Sequence, residues 1–193
     1  MLILLEMMAE ESRALTAPAV LEPLMAALAK GEQEALAELY RRGRTAVYGL
    51  ALSYLKNQHD AEDMTQDTFI RVWEHAGQYR PNGTPLAWIL TIARNLALMK
   101  LRERGKAQDM TPEEWEKVAG ENPLLTAEDR HVLNMAMNEL ADQERQIVIL
   151  HAVTGFKHRE IAAVLELPLA TVLSKYRRAL QKLKTKLEGG ESK

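Results

Sequence analysis

The chain has 193 residues, no cysteine and a formal net charge of -2, with 47% hydrophobic and 27% charged residues. That length allows one domain or two small ones, and the lack of cysteine excludes disulfides, thiolate metal sites and a cysteine nucleophile. Aromatic residues make up only 5% of it, and Leu, Ala, Glu, Arg, Lys and Met dominate, so an all-α fold is expected.

Residues 1–18 read as an N-terminal extension ending at Pro18. The start, "MLILLEMM", lacks the basic leader of a secretory signal, and Glu6 interrupts its apolar run. No stretch reaches the roughly 20 apolar residues that a membrane-spanning helix needs. The expectation is a cytoplasmic protein without membrane insertion.

A first helical domain is expected over residues 19–105. "VLEPLMAALAKG" stops at Gly31 as a helix does. In "EQEALAELYRRGRTAVYGLALSYLK", Leu36, Leu39 and Tyr40 share a face, followed by Val47, Leu50, Ala51 and Tyr54. Asp60 is a fitting N-cap for "AEDMTQDTFIRVWEHA". There Met64, Thr68, Phe69, Val72 and Trp73 form an apolar stripe, with Glu62, Asp63, Gln66, Asp67 and Arg71 outside it. The loop "GQYRPNGTP" is broken by Pro81, Gly83 and Pro85. "LAWILTIARNLALMKLRERGK" is then apolar early and basic late; cations near a helix C-terminus also suit its dipole.

An acidic linker is expected over residues 106–126, where Thr111 and Glu114 have capping-box spacing. The second domain, 127–190, opens with Thr126 capping "AEDRHVLNMAMNEL" and continues with Asp142 capping "QERQIVILHAV", which stops near Gly155. "HREIAAVL" follows, with Ile161, Ala162 and Leu165 inward and with Ala162 and Ala163 small enough for close helix approach. Glu166, Leu167 and Pro168 form a turn. A second helix starts at about Leu169 or Ala170, with Val172, Tyr176, Ala179, Leu180, Leu183 and Leu187 on its inward face. Ser174, Arg177, Arg178, Gln181 and Lys182 point away from that face.

This is the pattern of a helix-turn-helix, whose second helix enters the DNA major groove. "LATVLSKYRRALQKLK" (169–184) carries Lys175, Arg177, Arg178, Lys182 and Lys184 and no acid. Cations of this kind neutralise phosphates, and polar side chains near the helix start reach base edges. The chain's acid lies outside this stretch, with clusters in the linker and in the first domain.

Three segments in this order, "DAEDMTQDTFIRVW" (60–73), "PLAWILTIARNLALMKLRER" (85–104) and "LADQERQIVILHAVTGFKHREIAAVLELPLATVLSKYRRALQKLK" (140–184), resemble the bacterial sigma-70 class. They are most similar to its small extracytoplasmic-function (ECF) members, which have only regions two and four. The resemblance implies a subunit that binds core RNA polymerase and directs it to promoters. Region two would bind the clamp helices of the largest polymerase subunit and capture the melted minus-ten element. Region four would bind the flap of the second-largest subunit and the minus-thirty-five element. An anti-sigma factor is a further implied partner, and no cofactor is.

Carried over by position, the resemblance makes Asp63, Gln66, Asp67 and Arg71 polymerase-binding candidates. Tyr79, Asn82, Arg94, Asn95, Lys100 and Arg102 become minus-ten candidates; Trp88 reads as core rather than as a stacking platform. For minus-thirty-five DNA the candidates are Arg159, Leu173, Ser174, Lys175, Arg177 and Arg178, with His158 read as a surface residue. The chain departs from the family pattern at Glu166 and Ala170, where glycine is common, and at Leu173, where a cation is. A non-glycine residue at 166 costs roughly 1 kcal/mol if that position is left-handed. Leu173 either extends the core edge or touches a thymine methyl.

Catalysis is not expected. None of His59, His75, His131, His151 and His158 forms a metal-binding i, i+4 pair with a Glu between. There is no glycine-rich phosphate loop and no nucleophile elbow. The acidic residues 60–67 are helical and lack a calcium loop. Two other readings stay open from the sequence: a different helix-turn-helix regulator, and a sigma-mimic or adaptor that binds protein without DNA.

Overall fold

The computed structural model describes residues 13–14, 16–81, 84–104 and 137–189. Among them run seven α-helices and no strand: α1 Pro18–Leu28, α2 Gln33–Leu55, α3 Gln58–His75, α4 Pro85–Arg104, α5 Asp142–Thr154, α6 His158–Leu165 and α7 Leu169–Gly189. One 3-10 turn, Ala76–Gln78, extends α3. The all-α expectation holds. The linker at 106–126, the capping box at Thr111 and Glu114, the Thr126 cap, Asn82 and His131 lie outside the described residues.

Local chemistry explains the helix ends. Pro18 opens α1, where its fixed φ and missing N–H are tolerated. Helix α3 begins earlier than the sequence suggests: Asn57, not Asp60, is its N-cap, and the Asn57 side-chain oxygen accepts the Asp60 N–H at 3.0 Å. Asp60 is instead a buried first-turn residue. Similarly, Ala141 precedes α5, and Asp142 is its first helical residue rather than its cap. Gly155 ends α5 in the left-handed conformation, φ 67°.

The first four helices pack around Val47, Leu50, Phe69, Val72, Leu86 and Leu90, all buried. Each such side chain contributes about 1.5–3 kcal/mol relative to exposure. Tyr40 meets Phe69 edge-on, with ring centroids 5.0 Å apart. The same apolar cluster continues into Ile147, Leu150, Ile161 and Val172 of the later helices. A second cluster joins Leu52, Leu55 and Met64 to Val148, Ile149, Ala179 and Leu183. The two halves therefore meet through apolar surface, α2 against α5 and α4 against α6.

Polar contacts frame that junction. Lys56 Nζ lies 3.2 Å from Asp142 Oδ1, and Arg94 Nη1 lies 2.9 Å from Glu166 Oε1. Arg13, within the N-terminal extension, donates from Nε to the Gly155 carbonyl at 2.9 Å. Between the two ion pairs is a cavity of about 410 Å³, lined by Tyr54, Arg94, Leu98, Asp142, Gln146 and Glu166 among others.

Candidate nucleic-acid interface

Helices α6 and α7 form the helix-turn-helix. Ile161, Ala162, Val164 and Leu165 of α6 are buried, and so are Val172, Ala179 and Leu183 of α7. Ala163, expected to ease helix approach, is exposed instead. Glu166 has φ 53° and ψ 44°. Its N–H reaches the Ala163 carbonyl, and the Leu167 N–H reaches back to Ala162 at 3.0 Å. That is the arrangement of a Schellman turn, usually closed by glycine.

His158 is not the surface residue expected. Its ring stacks on His151 with centroids 5.3 Å apart, and Tyr176 meets both rings edge-on at 4.6 and 5.0 Å. This aromatic group fills the space between α5, α6 and α7, so Tyr176 packs inward as its spacing suggests.

The opposite face of α7 is open. Ser174, Arg177 and Arg178 are exposed, Lys175 is half-buried, and Arg159 is exposed on α6. Leu173 is 48% exposed while its neighbour Val172 is fully buried, so Val172 makes the core contact and Leu173 does not. Not every cation of α7 is at liberty. Lys182 donates to Glu144 Oε2 at 2.7 Å, and Arg178 Nε stands 4.0 Å from Glu144 Oε1. Burial pushes the Glu144 carboxyl up, but Lys182, the Ala141 N–H and Arg178 together hold it below the usual carboxylate range.

Helix α4 divides the minus-ten candidates among three surroundings. Arg94 faces the cavity and pairs with Glu166. Lys100 Nζ pairs with the buried Asp60 of α3 at 3.1 Å. Asn95 and Arg102 are exposed. Arg94 Nη1 stands 3.5 Å from Asn95 Oδ1, while Lys100 is turned toward α3. Tyr79 donates its hydroxyl to Glu22 Oε1 at 2.6 Å and meets Trp88 edge-on at 5.5 Å. Burial, and then Glu22, push the Tyr79 phenol up. Trp88 is half-buried and packs against the core, as its apolar neighbours suggest.

On α3 the expected face is present. Asp63, Gln66, Asp67 and Arg71 are all exposed, and Arg71 Nη1 bonds Glu74 at 3.2 Å. Among them stands Ile70, 54% exposed. In a sequence, a lone isoleucine at the edge of an apolar stripe looks like core.

The fold and the segments that carry both surfaces have counterparts among known proteins. The "Sigma-70 region 2" family description fits residues 39–107, and "Sigma-70, region 4" fits residues 130–183. The ECF RNA polymerase sigma factor SigK of Mycobacterium sp. (strain KMS) is 30% identical over 173 residues, spanning 85% of this chain and 89% of its own. The chain belongs to the ECF sigma factors of the sigma-70 class. SigE of Mycolicibacterium smegmatis is 38% identical over 165 residues, which span 81% of this chain but 64% of that relative. Among solved structures, CnrH in complex with the cytosolic domain of CnrY has a TM-score of 0.62, with 26% identity over 86% of this chain and 96% of that one. Bartonella quintana RpoE, solved with the anti-sigma factor NepR, matches in fold with a TM-score of 0.60, over 79% of this chain and 96% of that one.

Within this ECF sigma factor, one arginine has a structural role that its local sequence does not signal. Arg145 is buried and donates to the Met137, Asn138 and Leu140 carbonyls at 3.0, 3.2 and 2.9 Å. It thereby pins the chain entering α5. Nothing in the sequence separates it from the exposed arginines. No helix is long and apolar enough to cross a membrane, and no group of acids and histidines is placed to hold a metal, among the described residues.

Proposed function

We propose that this ECF sigma factor is a transcription initiation factor that binds core RNA polymerase and directs it to promoters. One observation carries the reading: a single chain presents both an exposed charged face on α3 and a cationic helix-turn-helix face on α7. The first lies in the segment fitted by region two, the second in that fitted by region four. In this reading Asp63, Gln66, Asp67 and Arg71, with Ile70 at their centre, meet the clamp helices of the largest subunit. Region four meets the flap of the second-largest subunit. Arg159, Leu173, Ser174, Lys175, Arg177 and Arg178 meet minus-thirty-five DNA.

Tyr79, Asn82, Arg94, Asn95, Lys100 and Arg102 serve the minus-ten strand. Single-stranded DNA needs a continuous cationic track, so Arg94 must leave Glu166 before region two can engage it fully. Such a protein acts by binding, without catalysis of its own, and works in the cytoplasm beside the polymerase. An anti-sigma factor is the proposed third partner; CnrH, a relative in structure, was solved bound to the cytosolic domain of CnrY.

Retention on immobilised core polymerase, followed by run-off transcription with reconstituted holoenzyme on genomic fragments, tests the reading. Initiation at discrete upstream sites is expected. Absence of polymerase binding would sink it; binding without any initiation would favour a sigma-mimic.

A further inference from the structure

Four large apolar side chains stand exposed among the described residues: Ile70, Met99, Leu169 and Leu173. Two of these four share one place. Leu169 and Leu173, 42% and 48% exposed, lie one helical turn apart at the N-terminal end of α7, and residues four apart fall on one helix face. In a helix-turn-helix this is the end that contacts base edges.

We propose that Leu169 and Leu173 are specificity-determining residues that seat against thymine C5-methyl groups in the major groove of the upstream promoter element. The proposal rests on the assignment of α7 to minus-thirty-five DNA and adds which base it selects. A leucine has neither donor nor acceptor, so it cannot read guanine, adenine or cytosine by hydrogen bonding. Thymine alone presents an apolar group in the major groove.

Surroundings favour duplex DNA over a protein as the occupant. Ser174, Lys175, Arg177 and Arg178 flank the pair, and residues 169–184 contain no acid. An apolar protein surface would have to dehydrate those cations, whereas a phosphate backbone neutralises them. Folding does not account for the pair, because Val172 and Ala179, both fully buried, supply the core contacts of the helix.

The test uses the full chain assembled with core polymerase. Upstream duplexes are selected from a random library, and each thymine is then replaced by deoxyuridine, which keeps every hydrogen-bonding group and lacks only the methyl. Binding should weaken by about three- to fourfold for each contacted methyl, from a methylene-sized burial. Leu173→Ala should bind the thymine and deoxyuridine duplexes equally at one position, and Leu169→Ala at another. Leu173→Met, which keeps an apolar contact, should retain the discrimination. Unchanged thermal unfolding of the variants shows that the fold is kept.

Equal binding of thymine and deoxyuridine duplexes by the wild-type chain would overturn the inference alone. Enrichment of no duplex at all, with polymerase still bound, would overturn the assignment of α7 to DNA as well. Discrimination that survives Leu169→Ala with Leu173→Ala would overturn the inference while leaving the assignment of α7 to DNA in place.

Discussion

Arg94 and Glu166 join the two halves of the molecule: a cation on α4 of region two meets the turn residue of the helix-turn-helix 2.9 Å away. Lys56 and Asp142 make the reciprocal contact, from the end of α2 to the start of α5. Lys56 and Glu166 are also the two non-glycine residues with positive φ among the described residues, both at 53°. A left-handed L-residue costs roughly 1–2 kcal/mol. Glycine would relieve that strain at either position but would remove the side chain that crosses the interface.

Glu166→Gly should therefore have two opposite effects. Backbone relief should stabilise region four by about 1 kcal/mol, while loss of the carboxylate loosens closure. The exposed partner limits that pair to about 0–1 kcal/mol, an opening shift of up to about fivefold. Glu166→Gln keeps the strain and loses the charge, so it should loosen without stabilising. Thermal unfolding together with fluorescence transfer between labels on the two halves would separate the effects. Coincident changes in both variants would contradict the account.

Glu144 sets an acid limb for stability. Its carboxyl is held below the usual range by Lys182, the Ala141 N–H and Arg178, which outweigh the effect of burial. A lowered folded-state value means stability that is present above the unfolded value, about 4.3. It is lost as pH falls through the folded value. Glu144→Gln should lower stability at neutral pH and flatten its decline below about pH 4. Denaturant melts across that window would show it.

Arg145→Ala should destabilise region four by about 2–4 kcal/mol, since it leaves buried carbonyls without donors. Burial lowers the guanidinium's pKa and Asp142 opposes the shift, yet an arginine stays charged. Its loss should thus be equally damaging at pH 6 and pH 8. A pronounced pH dependence in the variant's melting would count against a purely structural role.

Arg177 and Arg178 should differ in DNA binding. Arg177→Ala should weaken duplex binding for all sequences and reduce the salt slope by about one. Arg178→Ala should reduce the slope less, because Arg178 also lies 4.0 Å from Glu144. Binding isotherms at several salt concentrations check this; equal losses would mean that Arg178 leaves Glu144 on DNA.

Periodicity made most of the fold legible. The stripe Met64, Thr68, Phe69, Val72 lies inward as its spacing dictates, and Val172, Ala179 and Leu183 do the same in α7. Caps were less legible, because Asn57 and Asp60 are both good cap residues three positions apart and only the observed Asn57–Asp60 bond decides. The site was legible as faces but not as partners. No local pattern tells that Arg94 meets Glu166, 72 residues on, or that Lys100 meets Asp60. Charges were read by position along each helix, whereas their pairing depends on how the two halves pack.

The apolar clusters that run from one half into the other carry a thermal consequence. Closure driven by buried apolar surface weakens on cooling, since that driving force is largely entropic near room temperature. Opening exposes surface around Leu50, Ile147 and Leu150 and so raises the heat capacity. The free energy of parting the two halves should therefore follow a curved profile in temperature. Cooling from its maximum should favour parting of the halves, and with it the release of Arg94 from Glu166.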